Sequence, residues 1–210
     1  MKTRLLRTGA ALLLSAVLCG SALSLAGCGN KISHNPNTSE AWSPNVPDSK
    51  IDENAPGKQY DTVIGSPLDY EGKITVTLDR VVELDDAANT ANRVLLAEMT
   101  IVNHTDKELD CSTLTHFVAY VDDEKAGGVV SDIRAGISAR KYYTQTQSSL
   151  QSFNQAIQPG ETLTGYVAMY LPTAWKSLTL CYIPYKYYSN DNLNFSIDET
   201  KLVHYTEALR

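Results

Sequence analysis

Ser138 and Lys141 stand three residues apart in "SARK", a spacing at which a lysine can deprotonate a serine nucleophile. The Lys-Thr-Gly and Ser-Asp-Asn companions of that chemistry occur nowhere in the chain, so the pair reads as coincidence. Paired carboxylates at Asp85-Asp86, Asp122-Asp123 and Asp198-Glu199 could supply oxygen ligands. The glycine and alternating acids of a dedicated calcium loop are missing, and these pairs read as solvated turns. His34, His104, His116 and His204 are scattered, with no His-x-His or Cys-x-x-Cys spacing to suggest zinc. The chain is therefore expected to be non-enzymatic, with no metal and no cofactor.

The tyrosines are less easily dismissed. Of twelve, six fall in "KYY" and "YIPYKYY", and a rigid ring with a polar tip suits a recognition surface. Tyr142, Tyr143, Tyr185, Tyr187 and Tyr188 are the candidate ligand-binding residues, for an envelope protein or a glycan. The bland reading is that the same rings cover a sheet face and its strand ends.

These side chains must be positioned by a chain whose start has another purpose. Lys2, Arg4 and Arg7 precede the apolar run from Ala10 to Cys19, the layout of an export signal. Leu25-Ala26-Gly27-Cys28 resembles the lipobox of bacterial lipoproteins. That resemblance implies cleavage after Gly27, a lipid on Cys28, and a chain anchored to the cell membrane and facing its extracytoplasmic side. Two or three acyl chains, at about 0.8 kcal/mol per buried methylene, anchor stably. An uncleaved anchor over residues 8 to 27 is the alternative, weakened by Gly9, Ser15, Gly20, Ser21, Ser24 and Gly27.

Without the three basic residues of that leader, 15 of the 18 Lys and Arg remain against 24 Asp and Glu, a formal charge of −9. Such a chain is repelled by nucleic acid, which is excluded as a partner. Residues 28–59 hold four of the eight prolines, many Asn and Ser, and no periodic apolar pattern. They read as a disordered tether of about 30 Å average span. Of four cysteines, Cys111 and Cys181 alone remain for the folded part. They are either a disulfide closing about 70 residues, worth about 4 kcal/mol, or two buried thiols.

Residues 60–210 have the size of one domain. "GKITVTLDRVVEL" alternates strictly at Ile74, Val76 and Leu78 and then loses phase at Val81-Val82, predicting a strand with a bulge. "RVLLAEMTIVNHT" puts Leu95, Ala97, Met99 and Ile101 on one face and Val94, Leu96, Glu98, Thr100 and Val102 on the other, a central strand. Further strands are predicted at 116–121, 127–130, 161–172, 177–185 and 193–197. With no strand-helix alternation, the fold class is an all-β antiparallel sandwich. Residues 132–160 form a long, partly helical insertion, with Tyr142, Tyr143, Leu150 and Phe153 as contacts.

Val102-Asn103, Pro159-Gly160-Glu161, Gly165-Tyr166-Val167 and Leu171-Pro172 resemble motifs of bacterial secreted lipoproteins that carry an immunoglobulin-like domain of unknown function. That class is related in fold to a secreted mycobacterial immunoprotective antigen. The resemblance covers roughly residues 62 to 198 and implies an immunoglobulin-like fold and a cell-envelope location, with no agreed activity. The expectation is a lipid-anchored binding or protein-interaction module. A structural envelope spacer, or a hydrolase built on the 132–158 loop, are the alternatives.

Overall fold

The computed structural model describes residues 57–84, 91–130, 132–185 and 189–209. The leader, Cys28, the tether up to residue 56, Asp85-Asp86, Tyr187 and Tyr188 lie outside the described residues.

The domain is an all-β, immunoglobulin-like sandwich. One sheet holds β1 (Gln59–Val63), β11 (Asn192–Ser196), β10 (Leu178–Tyr182), β6 (Phe117–Val121) and β7 (Glu124–Lys125) in that order. The other runs β12 (Val203–Tyr205), β3 (Ile74–Leu84), β4 (Asn92–Asn103) and β9 (Thr162–Pro172), with β2 (Pro67–Tyr70) also on the outer edge of β3. We call them the first and second sheets. The pairings are antiparallel except at two edges, where β1 joins β11 and β12 joins β3 in parallel. A small ribbon of β5 (Leu109–Ser112) and β8 (Asn154–Ile157) closes one end, and a single turn of helix, α1 (Thr113–His116), follows β5.

Side-chain alternation explains the core. Ile74, Val76 and Leu78 of β3 meet Leu95, Ala97, Met99 and Ile101 of β4 and Leu180, Tyr182 and Phe195 of the first sheet in one fully buried cluster. The register of β3 against β4 shifts between Leu78 and Arg80, leaving Asp79 as the extra residue of a bulge. That inserted residue is why Val81 continues the inner cluster while Val82 and Leu84 join a second one on the outer face. The predicted loss of phase thus has a local cause.

The strand expected at 127–130 is not formed. Gly127 and Gly128 make a turn, and the hairpin is closed earlier by Asp122-Asp123, both at positive φ (52° and 67°), with the two-residue β7 after them. Two positive-φ residues between paired strands suit the strand twist, and Asp tolerates the conformation. The acidic pair therefore works as a turn. Asp122 Oδ1 accepts from the backbone N–H of Lys176 at 2.6 Å and Ser177 at 3.0 Å, which holds its carboxyl below the usual range.

Two of the motifs that carry the family resemblance meet in space. Asn103 is fully buried at the end of β4. Its Nδ2 donates to the carbonyls of Lys107 at 2.7 Å and Ile157 at 2.9 Å, while Oδ1 accepts from the N–H and the hydroxyl of Thr105. Its backbone exchanges hydrogen bonds with Gly160 and Glu161. Pro159-Gly160 are the central pair of a turn closed by Glu161 N–H to Gln158 C=O at 3.0 Å, with Gly160 at φ +74°. Proline followed by a positive-φ glycine is the type II signature.

Candidate functional site

The insertion roofs the outer face of the second sheet with one helix, α2 (Ile133–Gln145). Asp132 caps it, accepting from Arg134 N–H at 2.8 Å. Arg134 then folds back on Asp132 through Nη2 at 2.6 Å and lies 3.8 Å over the Tyr170 ring. The side-chain bond from Arg134 keeps the Asp132 carboxyl below its ordinary value.

The buried stripe of α2 is Ala135, Ala139, Tyr142 and Tyr143, set against Val82, Val94, Leu96 and Tyr170. The two alanines let the helix approach the sheet, and the tyrosines fill the space at its C-terminal end. Tyr143 stacks on Tyr166 with centroids 4.5 Å apart, and Tyr142 packs edge-on against Tyr205 at 4.9 Å. Tyr143 OH donates to Glu98 Oε1 at 3.1 Å, and Arg80 grips the same buried carboxylate through Nε at 2.7 Å and Nη2 at 3.0 Å. Burial, then the Glu98 charge, pushes the Tyr143 hydroxyl far above its usual value.

The tyrosine recognition patch is corrected accordingly. Tyr142 and Tyr143 are buried packing residues, and Tyr185 is buried in the sandwich core, where its ring lies 5.9 Å from that of Tyr70. An i, i+1 pair of tyrosines looks like surface from sequence because no apolar neighbour accompanies it. Here the apolar partners come from the sheet. Tyr187 and Tyr188 lie outside the described residues.

The two cysteines are free and buried. Cys111 belongs to the sandwich core. Cys181 lies on the opposite side of β10 from the core residues Leu180 and Tyr182, its Sγ donating to Asn192 Oδ1 at 3.4 Å. With the two thiols on opposite sides of the first sheet, no bridge joins them. Burial pushes the Cys181 thiol up to about 12.

What α2 turns outward is the unexpected part. Ile133 and Ile137, one turn apart, are 76% and 50% exposed, on the face that also carries the exposed Arg140 and Lys141. Across from them Leu114 of α1 is 74% exposed. These three line a cleft of about 490 Å³ whose floor is Phe153 and Ala168 and whose polar rim includes Ser112, Ser152 and Asn154. A buried histidine sets the position of Leu114: His116 Nδ1 accepts from Ser112 N–H at 3.2 Å, with Nε2 3.8 Å from Asp110 Oδ2. Burial raises the Asp110 carboxyl against the lowering pull of His116.

Gly165 builds the other wall. A Cβ there would lie 2.9 Å from Gln151 O and 2.9 Å from Phe153 Cε1, so only glycine lets the 151–153 segment cross β9. The sequence motif at Gly165 was a signal for this wall. The outward isoleucines carried no such signal, because an i, i+4 pair reads as a buried stripe.

The cleft is lined by Arg140, and neither Ser138 nor Lys141 lines it, so the hydrolase reading finds no constellation around this cleft. Among the described residues no group of three His, Cys, Asp or Glu could hold a metal ion. A second, shallower depression of about 360 Å³ lies on the outer face of the first sheet, among Gln59, Asp61, Tyr120, Thr179, Asn192 and Asn194. There Asn194 Nδ2 donates to Gln59 Oε1 at 3.1 Å and Asp61 Oδ1 at 3.0 Å.

No family model matches the chain, and no curated protein matches it. Among the described residues no helix is long and apolar enough to cross a membrane. Solved structures similar to it include the YjhA protein of Bacillus subtilis, 14% identical, covering 66% of this chain and 99% of that one at a TM-score of 0.44. An uncharacterized β-sandwich protein of Clostridium difficile is 15% identical, covering 70% and 99% at 0.40. A candidate lipoprotein of Bacillus subtilis, YcdA, is 16% identical over 61% of this chain and 38% of that chain, at 0.42. The neighbours thus include a β-sandwich protein and a lipoprotein candidate, and the cleft rests on this chain's own geometry.

Proposed function

We propose that this protein is a lipid-anchored binding module of the bacterial cell envelope. Cys28 holds it to the membrane on the extracytoplasmic side, and the α1–α2 cleft engages a protein partner. This extends the class that the Val102-Asn103 and Pro159-Gly160-Glu161 motifs resemble. One observation carries the reading: three large aliphatic side chains, Leu114, Ile133 and Ile137, stand exposed around a single cleft. Each isolated surface aliphatic is ordinary, but three around one concavity are the anatomy of a contact site.

The test is photo-crosslinking in intact cells. A photoreactive residue replacing Ile137 in the full-length lipoprotein is expected to give a discrete adduct that the same group at exposed Asp79 does not. Equal, diffuse labelling from both positions would leave a spacer. Cys28→Ser should release the protein from the membrane fraction; unchanged sedimentation would remove the lipid anchor from the proposal.

A further inference from the structure

The cleft has a chemistry narrower than an apolar surface, and the inference rests on the binding reading above. Strand β9 is an edge strand of the second sheet, and two loops take up part of its free edge. Tyr166 N–H donates to Gln151 C=O at 3.0 Å, and Tyr170 N–H to Val129 C=O at 3.2 Å. Strand groups repeat every two residues, so the N–H and C=O of Ala168 point out of the same edge, midway between those two bonds. Among the described residues no loop backbone bond takes them up. The loops part at this point, and Ala168 forms the floor of the cleft, only 7% exposed. A recessed pair of backbone groups, one donor and one acceptor, is the feature an extended peptide recognises at a sheet edge.

Charge selects among peptides. Helix α2 carries Arg134, Arg140 and Lys141 and no acidic residue, on a chain whose formal charge is −6. Arg134 is engaged by Asp132. Among the described residues no salt bridge is formed by Arg140 or Lys141, and Arg140 lines the cleft. We infer that the cleft binds an extended, acidic, aliphatic peptide segment of a partner protein. Its backbone pairs with Ala168, an aliphatic side chain seats between Leu114 and Ile137, and a carboxylate meets Arg140. A bilayer surface fits less well, because a flat interface cannot reach a backbone at the bottom of a concavity.

The experiment is fluorescence polarization of the full-length lipidated protein in nanodiscs with a positional array of nine-residue peptides. They are built from aspartate, leucine and serine, each with a lysine-for-aspartate twin and an N-methylated twin. The best acidic peptides are expected to bind at least about tenfold more tightly than either twin. Ile137→Ser and Arg140→Glu should each weaken them about tenfold, and Arg140→Glu should shift preference toward the lysine twins. Equal binding of the twins, no binding above them, or an unchanged ranking with Arg140→Glu overturns the inference. So does competition by phosphatidylglycerol vesicles as effective as that of free peptide, which would assign the face to lipid. Crosslinking at Ile137 that survives such a failure would keep the binding module and discard only the peptide chemistry.

Discussion

The two outer faces of the sandwich are built on the same inner core and end in opposite states. On the second sheet, β4 is apolar on both sides, and its outward Val94 and Leu96 require a cover, which α2 provides through Tyr142 and Tyr143 together with Tyr166, Tyr170 and Tyr205. On the first sheet the outward positions of β1 and β11 are Gln59, Asp61, Asn192 and Asn194, whose amides and carboxylate bond to one another in the open. Asn and Asp are poor strand formers, tolerated because neighbours across the ladder satisfy them. The difference teaches that the insertion is structural on its inner side, and that only its outer side, where the proposed contact site lies, is left to solvent.

The largest test of that contrast is Tyr143→Ala. Removing a buried ring that also donates to buried Glu98 should cost about 3–5 kcal/mol in urea unfolding. Asn194→Ala on the open face should cost about 1 kcal/mol or less. Comparable losses at the two positions would mean that α2 is not an integral cover.

Asn103→Ala follows. It strands the carbonyls of Lys107 and Ile157 in a buried site and frees Thr105. About 3 kcal/mol is expected, with the loss also seen as faster hydrogen exchange at Gly160 and Glu161. An unaffected turn would show that the Pro159-Gly160 geometry stands without its partner.

Alkaline pH probes both sides of the first sheet at once. Burial pushes Tyr185, on the core side, up to about 12 from an ordinary 10.0, and Cys181, under the amides, up to about 12 from 9.0. Both are acids whose folded form keeps its proton longer than the unfolded chain. The unfolded state therefore binds fewer protons between about pH 9 and 12, and stability, complete below that window, falls as pH rises through it. Burial also raises the other free thiol, Cys111, from the same 9.0, so Cys181→Ala should leave the onset near pH 9 and make the fall between about pH 9 and 12 shallower; a slope unchanged by that change would mean the Cys181 thiol is not protected.

Much of this contrast was legible in residues 74–103, where strict alternation assigned both faces of β4 and the slip at Val81-Val82 announced the bulge. The cleft was not legible, for a physical reason. In α2 the pair Ile133 and Ile137 has the spacing of a core stripe, whereas the real core stripe is two alanines and two tyrosines, which periodicity ranks as weakly apolar. Likewise "GGVV" has the branched residues of a strand. The hairpin closed at Asp122-Asp123 with its return strand already spent at Glu124–Lys125, and so Val129 and Val130 went to the β9 edge and the cleft wall instead.

The smallest stability effect is expected where the functional effect is greatest. Ile133→Ser with Ile137→Ser removes one side chain that is largely in water and one that is half in water, so the unfolding free energy measured in urea should fall by about 1 kcal/mol or less. A helix whose isoleucines served the fold would instead lose several times that, since burying each aliphatic side chain is worth about 1.5–3 kcal/mol. The mirror change, Ala139→Leu, adds bulk on the buried side of the same helix turn and should cost about 1–3 kcal/mol through overpacking. If the outward pair proves costly and the inward change neutral, α2 is rotated relative to the sheet from the orientation described. In that case the apolar cleft, and the peptide chemistry built on it, would have no physical basis.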